Sequence, residues 1–190
     1  MTPSRREFLQ HGAAAGALLL TFNIAGCEKK LTPAAAKAAG VHYRTLTEAE
    51  VATLEALGEM FLPGSAKLGL AHYVDHQLSG NPADSMLMIK YLRVPPPFVD
   101  FYRAGFKASE SASQAEFKQS LSNLTAEQST SFATKMATGT LSGWEGPPAP
   151  FFFFVVRNDA VDVTYATQDG FQRLGVPYMA HIPPPSAWGA

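Results

Sequence analysis

The sequence predicts an all-α chain: a compact single helical domain with a long irregular C-terminal segment rich in aromatics and proline. Three observations predict it. Apolar residues recur at helical spacing from Thr47 to Met136, with almost no period-two alternation. Helix-start signals repeat, since Thr47 with Glu50, Ser113 with Glu116 and Thr125 with Gln128 all have capping-box spacing. Cys27 is the only cysteine, so no intrachain disulfide and no thiolate metal cluster can hold the chain together, and packing has to.

Residues 1–27 read as an address. MTPSRREFLQ is a polar head with adjacent arginines, and Gly12 to Cys27 is an uncharged run of 16 residues. That is shorter than the roughly 20 residues a spanning helix needs, so the segment has the form of an export signal. Ser4, Arg5, Arg6, Glu7, Phe8 and Leu9 resemble the twin-arginine consensus, a route for proteins that are already folded. Ile24, Ala25, Gly26 and Cys27 resemble a lipobox, in which Cys27 would be lipidated and become the first residue of the mature chain. Two alternatives stay open: an ordinary N-terminal helix with an incidental Arg pair, and uncleaved or non-lipidated export that leaves Cys27 a bystander. Cleavage before Cys27 leaves 164 residues, enough for one domain with a core.

Residues 28–42 are alanine-rich, lack large apolar side chains over Lys29 to Ala39, and read as a flexible tether. The helical domain is expected over 43–182. Its first helix starts at Thr47, with Leu46 and Val51 spaced as a hydrophobic staple, and Val51, Leu54, Leu57, Met60 and Phe61 form one apolar face that Pro63-Gly64 ends. A second helix covers Leu70 to Leu78. Asn81-Pro82 is a cap and first-turn pair, predicting a third helix through Met86, Ile89 and Leu92. Pro95, Pro96 and Pro97 make a rigid corner within the domain, because apolar residues resume at Phe98, Phe101, Tyr102 and Phe106. Ser113 opens a short helix with Phe117 and Leu121, and Thr125 opens another with Phe132 and Met136 that Gly139 terminates.

Gly143 to Pro150 is irregular. Phe151 to Val156 is six consecutive apolar residues, which suit a strand; followed to Tyr165, the same stretch suits a helix buried on several sides. The tail after Gly170 is irregular, and 183–190, opening on three prolines, is expected to be disordered.

Chemistry is sparse. His72 and His76 are four apart, with Asp75 beside them, which is either half of a metal site or a solvated, partly packed helix face; no third ligand can be assigned. Asp159, Asp162 and Asp169 fit paired-carboxylate chemistry no better than a solvated face plus a turn aspartate. The chain contains no G-x-S-x-G, G-x-G-x-x-G, Walker or C-x-x-C-H motif, so no catalytic, cofactor-binding or metal-binding residue is assigned. A formal net charge of -1, without a Lys/Arg stripe, argues against nucleic acid as a partner. Aromatic supply stands out instead: the chain has 13 phenylalanines, and they cluster at 98–106 and again at 151–154. Each fills a core or anchors an interface. Trp144, Phe151, Phe154, Tyr165, Phe171 and Tyr178 are the candidates for a partner surface, given their proline-rich margins.

LTEAEVATLEALGEMFLP (46–63), HYVDHQL (72–78), LSNLTAEQ (121–128), Phe152, Phe153 and Arg157, and GFQRLGVP (170–177) together resemble the gluconate 2-dehydrogenase subunit 3 family. The resemblance implies a non-catalytic small subunit of a membrane-associated complex. Its large subunit binds FAD and oxidises a sugar or other alcohol, passing electrons to a haem-bearing third subunit. It also implies that the small subunit carries no cofactor, stabilises the flavoprotein and supplies its twin-arginine export signal. The expected location is then the periplasm, with a lipid on Cys27 as the membrane anchor. The chain departs from the family where DAVDVTYATQDG (159–170) keeps Tyr165 and Gly170 but lacks a double glycine. The competing class is a free-standing periplasmic lipoprotein that binds a small ligand or an envelope protein.

Overall fold

The computed structural model describes residues 18–24 and 26–175. A hairpin of β1 (Leu20–Ile24) and β2 (Cys27–Leu31) precedes the helices α1 (Pro33–Ala38), α2 (Glu48–Phe61), α3 (Leu70–Ser79), α4 (Phe98–Phe117), α5 (Ala126–Thr138), α6 (Ala149–Tyr165) and α7 (Gln168–Arg173). The all-α reading holds for the domain, and the only sheet among the described residues is that antiparallel pair.

The local start signals work as their chemistry requires at two of three places. Thr47 and Glu50 exchange both bonds of a capping box, as do Thr125 and Gln128. Each box satisfies helix N–H groups that have no partner within the helix. Leu46 and Val51 are both buried beside the first box. Gly139 closes α5 in the left-handed conformation at φ 72°.

Three expectations are corrected. Ser113 does not open a helix: it lies buried inside α4, which runs 20 residues without a break until Lys118 turns to positive φ. Its hydroxyl donates to the Gln119 carbonyl, so the capping-box spacing is incidental. The third helix is replaced by two 3-10 turns, Pro82–Asp84 and Met88–Leu92. Between them the Gln77 side chain takes the Met86 N–H and the Ser85 hydroxyl takes the Leu87 N–H. Side-chain acceptors of this kind compete with helical bonding, and the extended chain they hold sends Leu87 and Ile89 into the core. The segment 28–42 is no bare tether, because β2 and α1 occupy it and Ala36 is fully buried. Small alanines permit that close approach where larger residues would not. Residues 20–24, within the segment read as an export signal, form a strand whose Leu20 and Phe22 pack on the core.

The aromatic run 151–156 is helical. Ala149, Phe152, Val155, Val156, Asp159, Ala160, Val163 and Thr164 are its buried positions, a period that a strand could not produce. α6 is the central element, packing on α5, α2 and α3. Phe152 is fully buried, with rings of Phe101, Phe106 and Trp144 around it at centroid distances of 5.6, 6.0 and 5.9 Å. Burial of such a side chain contributes about 1.5–3 kcal/mol relative to exposure, with offset and edge-on ring pairs adding to it.

Two glycines set the helix crossings. A Cβ at Gly105 of α4 would lie 2.1 Å from Phe152 Cε2, and one at Gly58 of α2 would lie 2.3 Å from Leu70 Cδ2. Gly105→Ala is therefore expected to lose about 1–3 kcal/mol of stability by overpacking. Urea denaturation checks this, and an unchanged midpoint would show that Phe152 moves aside freely.

Candidate functional site

Two constellations carry the informative side chains, one on α3 and one on α6. On α3, His72, Asp75 and His76 each hold a piece of the N-terminal third of the chain. Asp75 is buried and accepts three backbone N–H bonds, from Arg44 at 2.9 Å and from Thr45 and Leu46 at 2.8 Å. His72 Nε2 donates to the Val41 carbonyl at 3.0 Å, and its ring lies 4.6 Å from that of Tyr43. Burial pushes the His72 imidazole below its usual range and the Tyr43 phenol up to about 12. His76 Nε2 donates to the Thr21 carbonyl at 3.0 Å. Gln77, on the same helix, accepts the Met86 N–H at 2.8 Å. The half-metal-site reading of His72 and His76 therefore gives way to a structural one, because each imidazole is committed to a main-chain carbonyl. Among the described residues no three His, Cys, Asp or Glu side chains come together as a metal site.

The second constellation pairs two carboxyls of α6 with tyrosines from α3 and α4. The Tyr102 hydroxyl donates to Asp159 Oδ2 at 2.6 Å, and the Tyr73 hydroxyl donates to Asp162 Oδ2 at 3.2 Å. Asp159 is fully buried, and its other oxygen has no hydrogen-bond partner. Burial is the main cause that raises the Asp159 carboxyl to about 8, with the nearby Asp162 adding and the Tyr102 bond opposing. Asp162 is raised too, by its own burial. Both tyrosines are pushed well above their ordinary range, chiefly by burial. The solvated-face reading of Asp159 is thus overturned. A carboxyl held mainly neutral near pH 7 inside the domain ties α6 to α4. Sequence reasoning missed Tyr73 and Tyr102. The one available signal was a phenol on an apolar helix face, which needs a polar partner once buried.

The aromatic candidates divide. Trp144 is half-buried, and its Nε1 donates to the Pro147 carbonyl at 2.7 Å, folding the proline-rich loop against Phe152. Phe151 is half-buried, edge-on to Phe101 at 5.5 Å. Phe154 stays 43 % exposed, and Tyr165 and Phe171 are half-buried. Phe151, Phe154, Asn158, Val161 and Tyr165 recur every three or four residues, so they form one accessible stripe along the outer face of α6. Leu174, 56 % exposed just beyond α7, was not anticipated. Arg5, Arg6, Phe8, Leu9, Tyr178 and the tail 183–190 lie outside the described residues. Cys27 is exposed at the start of β2.

A concavity of about 610 Å³ is an open groove between α2 and the start of α5, walled by Ala52, Ala56, Met60, Leu124 and Ala126. Its carboxylates are already engaged, Glu55 by Lys37 and Glu59 by the N–H groups of Gly64 and Ala66. No described helix is long and apolar enough to cross a membrane.

The protonated Asp159 gives the fold a pH dependence with a defined sign. Its folded pKa lies above the unfolded value of roughly 3.9, so its contribution is complete below pH 4. It is lost progressively as the pH rises to about 8. Asp159→Asn keeps the shape and stays neutral throughout. The variant is expected to gain on the wild type across that window and to exceed it above pH 8, where one pKa unit corresponds to about 1.4 kcal/mol. Melting temperatures between pH 4 and pH 9 check this; parallel curves for the two proteins would refute it.

Compared with known proteins, residues 48–181 match the family model described as gluconate 2-dehydrogenase subunit 3. No curated protein and no solved structure matches the chain.

Proposed function

The chain belongs to the gluconate 2-dehydrogenase subunit 3 family, and from that premise we propose that it is the non-catalytic small subunit of a membrane-associated, flavin-dependent sugar or alcohol dehydrogenase. Family membership implies an accessory subunit and a partner dehydrogenase complex. In the proposed assembly the large subunit holds the FAD, and a haem-bearing subunit takes its electrons. This chain stabilises the flavoprotein and carries the twin-arginine signal for both. Cys27, lipidated after export, anchors the complex on the periplasmic side.

The observation that carries the reading is the family match, which spans almost the whole helical domain. The geometry supports it. The described polar clusters are engaged in holding helices and loops together, whereas the outer stripe of α6 leaves Phe154 accessible between the half-buried Phe151 and Asn158. An accessible aromatic set among partly packed neighbours suits the centre of an interface, where a few anchors dominate the energy. The exposed position of Cys27 suits a modified residue at the head of the mature chain.

Tagged protein purified from its native membranes is expected to bring down a flavin-containing polypeptide, read by its visible absorbance. Recovery of none would refute the subunit reading. Phe154→Asp, at an exposed position, should keep the melting temperature while reducing recovery of that polypeptide. Loss of one anchor of about 2 kcal/mol corresponds to roughly 30-fold in affinity, and unchanged recovery would remove the α6 stripe from the interface. Replacing Arg5 and Arg6 by Lys is expected to leave both polypeptides in the cytoplasm, as fractionation would show. Continued export of both would refute the shared signal.

A further inference from the structure

The N-terminal hairpin is built from both sides of the bond that export processing would cut. Ile24 pairs with Cys27 at one end of the ladder and Leu20 with Leu31 at the other. The Gly26–Cys27 bond adjoins the Ile24–Cys27 pair. The Gly26 N–H donates to Asn23 Oδ1 at 3.0 Å, which holds the chain reversal closed. β1 has the pattern of a docked strand: Leu20 and Phe22 are 5 % exposed, whereas Thr21 and Asn23 face out. Phe22 sets its ring edge-on to His76 at 5.1 Å, and the His76 side chain bonds the backbone of the intervening Thr21 at 3.0 Å. His76 Nδ1 is buried without a partner. β2, by contrast, carries Glu28, Lys29 and Lys30 outward and contributes mainly its backbone.

A cut before Cys27 would convert β1 from part of the chain into a separate strand. It would leave behind an unpaired β2, two apolar sockets and an imidazole N–H on α3 that had bonded a strand carbonyl. Each of these recognises extended backbone with apolar residues at alternate positions, and none reads a charge or a particular side-chain headgroup.

We propose that the surface beneath β1, formed by β2 and the His76 side of α3, is a strand-docking site. Residues 20–24 cover it in the precursor. After processing it takes an extended segment, apolar at alternate positions, from the large partner subunit. The inference rests on the processing and partner readings given above. The site's size selects its occupant. Five residue pairs and two apolar anchors are marginal for a free peptide but suffice for a segment already held nearby, because a second contact on a tethered partner forms at high effective concentration. Until the cut, β1 also keeps an open strand edge from pairing wrongly. The first encounter is then at the outer stripe of α6, and the strand exchange follows export.

Amide hydrogen exchange at residues 28–31 tests the proposal in three preparations. These are the uncut full chain carrying Cys27→Ala, the processed chain alone, and the processed chain co-purified with its flavoprotein, each with its N-terminus fixed by intact mass. Protection is expected in the first and third and is expected to fall at least tenfold in the second. His76→Ala should lower protection in the complex without reducing flavoprotein recovery from the uncut chain. A co-purified complex whose β2 exchanges as fast as in the processed chain alone would overturn the strand site and leave the subunit reading intact. A native complex whose small subunit retains residues 1–26 would also overturn it, since β1 would never leave. Absence of any flavoprotein would overturn both readings together.

Discussion

Three backbone N–H groups, those of Arg44, Thr45 and Leu46, converge on the buried carboxylate of Asp75 at 2.8–2.9 Å. Hydrogen bonds to a charged acceptor are among the stronger ones, at about 1.5–3 kcal/mol each. Here three of them fix the turn that delivers Thr47 to its capping position, and so fix where α2 starts. Arg103 of α4 reaches the same turn, bonding the Thr45 carbonyl at 3.0 Å and Glu50 at 2.8 Å. The position of α2 relative to α3 and α4 therefore depends on one side chain in the middle of α3. The neighbours of Asp75 extend the grip: His72 to Val41, His76 to Thr21 and Gln77 to Met86. HYVDHQ is thus a clamp: its two histidines, its aspartate and its glutamine hold main-chain partners elsewhere, and Tyr73 holds the Asp162 side chain.

That outcome shows what a single sequence can and cannot carry. Interactions closed within four residues were legible, so the boxes at Thr47 and Thr125 and the stop at Gly139 could be placed. The same spacing at Ser113 misled, because a capping box needs a chain that is not already helical, and the residues before it are. The interval between His72 and His76 correctly put both on one helix, but their partners lie 31 and 55 residues away. Nothing local announces such distances. The same holds for Asp159, whose meaning depends on a tyrosine 57 residues earlier. The run at Phe151 was ambiguous for a different reason. Six apolar residues have no period to read, and only the later positions out to Thr164 reveal which faces are buried.

The candidate surface was legible in composition more than in position. The sequence offered six aromatics. The structure uses Trp144 and Phe151 partly as packing for Phe152 and Phe101, leaves Phe154 outward, and adds Leu174. Core and interface draw on the same side chains, so only the turn of a helix separates them. In α6 the inward face is held by polar bonds from two other helices as well as by rings. Its outer stripe is therefore presented on a fixed support, which lowers the ordering cost of any contact it makes.

The placement of α6 has a consequence for how the chain is made. Tyr73 and Tyr102 have their carboxyl partners in a helix that ends at Tyr165, and the rings of Phe101 and Phe106 are closed over by Phe152. While the ribosome is still adding those residues, the five earlier helices lack their central neighbour and cannot complete the burial of their apolar faces. The domain can close only when α6 has emerged, long after the N-terminus has been free in solution. A nascent or prematurely ended copy stays recognisably unfinished, so completeness of synthesis and completeness of the core become the same event.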